Sequence, residues 1–225
     1  MVTILPRPAA PGSADVIRRP RQKRSQQRFE AILDSADRLL ETLEPAQISI
    51  YTLAEEAGLS APSIYHFFPD AGQVFVALAE RYVGEFADLL DKPLPPGVTT
   101  WQAFFDARYG HGREHYNAHG AARRLLLGSG LSASIRARDL ENDSVLAERS
   151  MAEFCALFAI DPSADLVERF TELLVINDAI WTLSVHRHGT ITEAYDEQAR
   201  LAREAYCRTF LPEHLPLRAA AEQAA

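Results

Sequence analysis

The amino-acid sequence predicts an all-α protein with a small N-terminal domain of three helices and a larger C-terminal helical domain. Apolar residues recur at helical spacing along most of the chain, and runs of β-branched residues are few. Thirteen Pro and eleven Gly separate the periodic segments. At 225 residues and 47% hydrophobic content, the chain is long enough to bury a sizeable core.

The first predicted helix runs from about Arg24 to Leu43. Pro45 closes it, because proline cannot continue a helix. One face is apolar and the opposite face carries acidic and basic residues, as expected of a helix that covers a core. The apolar stripe comprises Phe29, Ile32, Leu33, Ala36, Leu39 and Leu40.

The segment from Ser49 to Asp70 has the pattern of a helix-turn-helix. Leu53 and Ala57 lie on one face of its first helix, and the small Ala54 permits close approach of the second. Gly58 lies where the chain needs a positive φ, and Ser49 is placed to cap the first helix. A helical hairpin inside an ordinary bundle is the simpler alternative.

The second helix of this segment is predicted to begin after Ser60, whose hydroxyl would act as the N-cap. Pro69 ends it, and Asp70 with Gln73 forms a capping box for the following helix. Its predicted inner face holds Ile64, Phe67 and Phe68. Its predicted outer face holds Ala61, Pro62, Ser63, Tyr65 and His66.

These residues resemble the DNA-binding segment of the TetR/AcrR-type bacterial repressors. The family pattern appears in Leu53 to Ser60 and again in Ser63 to Pro69, and the similarity covers about residues 28–75. Two positions depart from it: Ala71 stands where the family usually has Lys, and Glu44-Pro45 stands where it usually has Gly. The resemblance implies a cytoplasmic regulator that binds double-stranded DNA as a homodimer and is released from a palindromic operator by a small-molecule effector.

Charge is segregated along the chain in a way that suits this resemblance. The net charge is −8, yet residues 1–28 carry seven basic side chains and one acid, Asp15. We therefore predict a basic, disordered arm over residues 1–23, a DNA-binding domain over 24–70, and contact between the basic residues and phosphate or the minor groove. The predicted DNA contacts are Arg19, Arg21, Lys23, Arg24, Ser49, Tyr51, Ser60, Ala61, Pro62, Ser63, Tyr65 and His66.

A regulatory and dimerisation domain is predicted over residues 71–212. A helix from Ala71 to about Leu90 joins it to the DNA-binding domain, and Thr100 caps the next helix. His111, His115 and His119 follow at four-residue spacing, which is compatible with a metal site, with the polar wall of a ligand cavity, or with ordinary polar packing.

The remaining predicted helices complete this domain. Gly128-Ser129-Gly130 breaks the chain before a helix that ends at Phe158, and Asp161-Pro162 caps a helix that runs to about Arg187, where Gly189 stops it. A last helix spans about Ile191 to Leu211, and residues 213–225 form a flexible tail. The predicted ligand pocket comprises Trp101, Phe105, Tyr109, His115, Phe154, Phe158 and Trp181. The predicted dimer interface, implied mainly by the resemblance, comprises Leu173, Ile180, Trp181, Tyr195, Ala202 and Tyr206.

Other features limit the range of functions. We expect no membrane partner, because no apolar run is long enough to span a bilayer. Cys155 and Cys207 lack metal-type spacing and are expected to be reduced core thiols. No cofactor, resident metal or enzymatic activity is predicted. A helical protein-binding adaptor, and a metal-dependent enzyme that uses the three histidines, remain as alternatives.

Overall fold

The computed structural model describes residues 17–128 and 133–218, without the side chains at 134, 135 and 138. Within these ranges the chain forms nine α-helices and no β-sheet, which confirms the predicted all-α class. Most of the predicted arm, the Ser129-Gly130 part of the glycine-rich break and the last residues of the predicted tail lie outside the described residues. The helices are α1 Lys23–Leu40, α2 Ile50–Ala57, α3 Ala61–Tyr65, α4 Ala71–Leu89, α5 Trp101–Ala118, α6 Gly120–Leu126, α7 Ala133–Leu157, α8 Ala164–His188 and α9 Glu193–Cys207.

Several helix ends lie where local sequence signals predict them. The Ser49 hydroxyl accepts the Thr52 N–H at 3.1 Å, and the Asp70 carboxylate accepts the Gln73 N–H at 3.0 Å. Thr100 caps α5 in the same way, its hydroxyl accepting a backbone N–H at 3.2 Å. Gly58 has φ +63° at the end of α2, a left-handed conformation that glycine adopts without a steric penalty. The helix-turn-helix is therefore built as predicted at its first helix and its turn.

Other predicted boundaries are wrong. Helix α8 begins at Ala164 rather than at Pro162, because the hydroxyl of Ser163 accepts the Leu166 N–H at 3.1 Å and supplies the cap. Helix α1 ends at Leu40, and a short 3-10 helix, Pro45–Gln47, follows. Helix α3 ends at Tyr65, although the later Phe67 and Phe68 are still buried. The last helix, Glu193–Cys207, is shorter than predicted at both ends.

The break between α5 and α6 was not predicted. Helix α5 ends at Ala118, and His119 has an extended backbone before α6 begins. A carboxylate oxygen of Glu41, at the end of α1, accepts the Ala121 N–H at 3.0 Å. A Cβ atom at Gly120 would lie 2.5 Å from the other carboxylate oxygen of Glu41. The start of α6 is therefore capped by a residue from a segment that is far away in sequence.

Two clusters of buried apolar side chains form the interior of the described chain. The first contains residues of α1, α2, α3, α4 and α6, together with Tyr116 of α5 and Trp181 of α8. The second lies among α5, α7, α8 and α9. Helix α4 thus shares a core with the helix-turn-helix while its C-terminal half reaches the rest of the body, as the predicted linking helix should.

Residues 213–218, assigned to the flexible tail from the sequence, pack against the end of α7. The Ala159 N–H donates to the Pro216 carbonyl at 2.8 Å, and the Arg218 guanidinium donates to the Cys155 carbonyl at 2.7 Å. Cys155 and Cys207 are buried and unpaired. None of the described helices has the combination of length and apolar composition needed to cross a membrane.

Candidate nucleic-acid interface and ligand cavity

The helix-turn-helix has an apolar interior and exposes aromatic and polar groups. Leu53, Ile64 and Phe68 are fully buried, and Phe68 packs on Phe29 of α1 with ring centroids 4.9 Å apart. On the outer surface Tyr51 is 71% exposed and Tyr65 is 49% exposed. Tyrosines on the outer face of such a unit offer both an apolar ring and a hydrogen-bonding hydroxyl to a ligand.

The N-terminus of α3 differs from its predicted geometry in one respect. Ser60 occupies the N-cap position, but its hydroxyl makes no capping bond and lies 2.8 Å from the hydroxyl of Ser63. Pro62 and His66 are exposed, while Ala61 and Ser63 are partly buried. Ser49 is exposed, with its hydroxyl engaged by the cap of α2. The outer face of α3 therefore presents a compact polar surface without a lysine or arginine.

The described part of the basic arm runs beside this surface. The Arg18 N–H donates to the Phe67 carbonyl at 3.3 Å, which ties the arm to the end of the helix-turn-helix. The guanidinium of Arg19 forms an ion pair with Glu80 on α4. Arg21, Lys23 and Arg24 are exposed at the start of α1. Helix α3 itself has no basic side chain, but the arm and the start of α1 expose several.

A cavity of about 110 Å³ lies between α4, α5, α6, α7 and α8. Of the residues assigned to the pocket from the sequence, Phe105, Tyr109 and Trp181 line it. The other predicted aromatics, Trp101, Phe154 and Phe158, are buried in the second apolar cluster, and His115 lies outside the cavity wall. Further aromatic and polar groups that line the cavity were missed: Phe86, Arg108, Tyr116, Asp139, Asp143, Phe170, Asn177 and Asp178.

Three carboxylic acids form one side of this cavity. Asp139 and Asp143 lie one turn apart on α7, and Asp178 lies on α8. Burial raises the pKa of each, and their mutual repulsion raises the pKa of Asp143 and of Asp178 further. Sequence signals existed, since Asn177-Asp178 interrupts the most apolar run of the chain, but nothing in the sequence places α7 opposite α8.

The three histidines of α5 do not converge on one point. The His115 and His119 rings stack with centroids 4.3 Å apart, and His119 lies just past the end of the helix. Burial lowers the pKa of His115 to about 4, and its Nε2 lies 3.3 Å from a carboxylate oxygen of Glu85. Among the described residues, no three His, Cys, Asp or Glu side chains are arranged to hold a metal ion.

The residues assigned to a dimer interface occupy different environments within the chain. Leu173 and Trp181 are buried in the cores, and the indole N–H of Trp181 donates to Asp196 at 3.1 Å. Ile180, Tyr195, Ala202 and Tyr206 are partly buried. The large apolar side chains that α8 and α9 expose are Leu183, at 40%, and Leu201, at 46%.

Comparison with known proteins identifies the fold. A structure of a TetR-family transcriptional regulator from Streptomyces coelicolor superposes with a TM-score of 0.62, at 22% identity, over 82% of this chain and 99% of that one. RolR, solved in complex with resorcinol, superposes with a TM-score of 0.60, at 17% identity, over 81% of this chain and 88% of RolR. The chain therefore has the fold of the TetR-type regulators.

The sequence relationship is confined to a shorter segment. Over 76 residues the chain is 41% identical to the HTH-type transcriptional regulator EthR of Mycolicibacterium smegmatis, a match that covers 32% of this chain and 35% of EthR. The match thus spans about a third of that relative. No protein-family model matches the chain. Fold and sequence match together confirm the resemblance to TetR/AcrR-type regulators that the helix-turn-helix residues indicated.

Proposed function

We propose that this protein is a ligand-responsive transcriptional regulator that binds DNA. In this proposal a homodimer binds a palindromic operator in the cytoplasm, represses transcription and is released by a small molecule. The supporting observation is the coupling of a helix-turn-helix, whose outer face is free of core contacts, to a helical body that contains a cavity. The fold alone does not define a function, because one fold can serve several functions.

The DNA-binding step follows from the exposed groups of α3 and the arm. In the proposed complex α3 enters the major groove, where Ser63, Tyr65 and His66 form hydrogen bonds with the duplex. Without a lysine or arginine on α3, specificity rests on apolar contact of Ala61 and Pro62 with thymine methyl groups and on DNA shape. Arg21, Lys23 and Arg24 neutralise phosphates or enter the minor groove.

Dimerisation is proposed through α8 and α9. One α3 helix reads few base pairs, so a specific operator requires two reading heads related by a two-fold axis. Leu183 and Leu201 supply exposed apolar surface on these two helices, next to the partly buried Ile180 and Ala202. Leu173 and Trp181, buried within the chain, would support this surface from behind rather than touch the partner.

Effector control is proposed to pass through α4 and α6. Both helices line the cavity, and both contact α1 of the DNA-binding unit. The side chain of Arg124 on α6 donates to the Leu40 carbonyl at the end of α1 and to Glu44 at 3.1 Å. A ligand that shifts these helices would change the spacing of the two reading heads, and the resorcinol complex of RolR offers a precedent for ligand binding within this fold.

A gel-shift titration tests the DNA-binding proposal. The purified protein is titrated against the DNA upstream of its own coding sequence, with nonspecific competitor, at two salt concentrations. We expect a competitor-resistant shift in a dimer-sized step that weakens as salt rises. Loss of binding even at low salt would contradict the proposal and favour the protein-binding adaptor.

Matched variants test the reading face. His66→Ala and Tyr65→Phe should each weaken operator binding, by about 1–3 kcal/mol if the lost group contacts a base. His214→Ala, at an exposed histidine outside α3, the arm and the two helices proposed to dimerise, is the control and should bind as the wild type does. Truncation before Arg24 should flatten the salt dependence. Wild-type affinity in both α3 variants would show that the reading face is assigned wrongly.

A further inference from the structure

We propose that the cavity binds an organic cation, namely a protonated amine carried on an aromatic or apolar body. This inference rests on the proposed function, because it names the chemical class of the effector that the same cavity would take. It depends on three observations about the cavity wall: an unpartnered buried carboxylate oxygen, nearby arginines that are already paired with other acids, and several aromatic rings.

The first observation concerns Asp143. Its side chain lines the cavity and is only 6% exposed, and one carboxylate oxygen, Oδ2, is buried without a hydrogen-bond partner among the described residues. A buried polar atom that lacks a partner costs free energy, typically about 1–3 kcal/mol and more when charged. An N–H donor placed in the cavity would remove this cost for the ionised carboxylate, and a cationic donor would also offset its charge.

The second carboxylate is also without a cationic partner. Asp178 faces the cavity from α8 and accepts a hydrogen bond from the neutral amide of Asn177 at 3.3 Å. The arginines near the cavity have acids of their own: Arg136 pairs with Asp139 at 2.9 Å, and Arg108 pairs with Glu153. Arg203 lies 3.8 Å from Asp106. In the part of the chain that the structure describes, Asp143 and Asp178 are thus left without an ion-pair partner.

The third observation is the aromatic lining. Phe86, Phe105, Tyr109, Tyr116 and Trp181 all border the cavity. Aromatic faces attract cations, and the attraction strengthens where water is excluded. The same faces accommodate an apolar body, whereas an inorganic cation needs several further oxygen ligands. Aromatic rings together with two carboxyl groups that have no ion-pair partner therefore favour an organic cation over an anion, a neutral apolar molecule or a metal ion.

The protonation of Asp143 and Asp178 agrees with this assignment. Burial and the neighbouring acids raise the pKa of Asp143 and Asp178. A bound cation would favour their ionised forms and lower those pKa values, so binding should release protons and tighten as pH rises through the neutral range. The other charged or titratable groups near these two acids are Arg136 and Asp139 on α7, Arg108, Tyr109 and Tyr116 on α5, and Arg203 on α9.

Three probes of similar size and different charge test the inference on the full-length protein without DNA. They are 2-phenylethylammonium, 2-phenylethanol and phenylacetate, and binding is measured by isothermal titration calorimetry. We expect the cation to bind at least about tenfold more tightly than the alcohol, with phenylacetate the weakest. Equal affinity for the cation and the alcohol, tighter binding of phenylacetate, or no binding of any probe would overturn the proposal.

Charge-removing variants locate the site. Asp143→Asn and Asp178→Asn retain the shape of the side chain, and each should reduce the preference for the cation by about tenfold while affinity for 2-phenylethanol is retained. Glu168→Gln removes an exposed acid from α8 and serves as the matched control. Wild-type preference in both aspartate variants would place the cation elsewhere and overturn the assignment.

The two proposals can fail separately. Selective cation binding by a protein that does not shift operator DNA would support the cavity assignment and contradict the regulator. A specific DNA shift together with equal affinity for the charged and uncharged probes would support the proposed regulator and contradict the proposal that the cavity binds a cation.

Discussion

The helix-turn-helix and the cavity-bearing body bury very different kinds of side chain. Of the buried polar or charged residues described, only Ser35 lies in the DNA-binding unit, where its hydroxyl donates to the Ile32 carbonyl at 2.7 Å. The body buries the others: Arg108, Asp139, Asp143, Asn177, Ser184 and Arg203. Buried charge is costly for stability, and Arg108, Asp139, Asp143 and Asn177 all line the cavity, which points to a role in binding rather than in folding.

The two regions differ in where their polar groups lie. The DNA-binding unit keeps an apolar interior and places its polar groups on the outside, so its function depends on surface chemistry. The body buries several polar and charged groups, so the proposed effector response would depend on what enters the cavity. Substitutions should therefore have opposite consequences in the two regions.

The largest effect is expected in the apolar interior of the DNA-binding unit. Phe68→Ala should lower the free energy of unfolding by about 3–5 kcal/mol, because Phe68 is fully buried against Phe29. Urea unfolding followed by circular dichroism measures the change. Tyr65→Ala, at a half-exposed neighbouring position, should cost much less. Similar losses in both variants would contradict the separation of interior and reading face.

The opposite sign is expected for a buried acid of the body. Asp143→Asn should stabilise the ligand-free protein at neutral pH, by about 1–3 kcal/mol, because the amide has no ionised form to bury. The raised pKa of Asp143 favours its protonated form in the folded state. Its contribution to stability is therefore full below the ordinary aspartate pKa of about 4 and is lost as pH rises through the raised value.

Thermal unfolding of the wild type and Asp143→Asn is measured across pH 5 to 8, about the span in which this loss of stability develops. It checks the sign of the change in stability. The difference between the two proteins should widen as pH rises. Glu168→Gln should show no such trend, since Glu168 is exposed. A constant difference would mean that Asp143 is not held in its protonated form.

Substitutions at two glycines test the backbone conformations of the two regions. Gly58→Ala should destabilise the DNA-binding unit by about 1 kcal/mol, because φ +63° is strained for a residue with a Cβ atom. Gly84→Ala, in the middle of α4 and with nothing within 4 Å of the added Cβ, should instead stabilise by about 0.5–1 kcal/mol. Denaturant midpoints separate the two, and equal signs would contradict the assigned roles.

The smallest effect is expected at the junction between the regions. Glu41→Ala removes the carboxylate that accepts the Ala121 N–H at the start of α6 and should cost about 1 kcal/mol or less. Glu30→Ala, at an exposed position on α1, is the control. Hydrogen exchange at the first amides of α6 should rise only in the Glu41 variant. Unchanged protection would show that the contact does not hold α6.

The features that could be predicted from the sequence are those that depend on near neighbours. The Ser49 cap, the left-handed Gly58 and the buried face of α3 each follow from residues within one or two helical turns. Ser163 displaced Asp161 as the cap of α8 because two good capping residues compete within three positions.

The features that could not be predicted depend on segments far apart in the chain. The N–H of Ala121 at the start of α6 is held by Glu41, about 80 residues earlier. The acidic side of the cavity requires α7 and α8 to meet, and no local pattern on either helix specifies that meeting. Phe105, Tyr109 and Trp181 could be proposed because aromatic residues are conspicuous, but helical spacing alone did not separate them from the core residues Trp101, Phe154 and Phe158.

The placement of Trp181 also provides an optical signal. The chain has two tryptophans, and Trp101 is buried in the other apolar cluster, where its indole N–H donates to the Pro212 carbonyl at 3.0 Å. Trp181 borders the cavity while its indole N–H is held by Asp196 of α9. In a Trp101→Phe background, Trp181 is the one remaining tryptophan, and its emission under tryptophan-selective excitation therefore reports on whether the cavity is filled, with no attached dye.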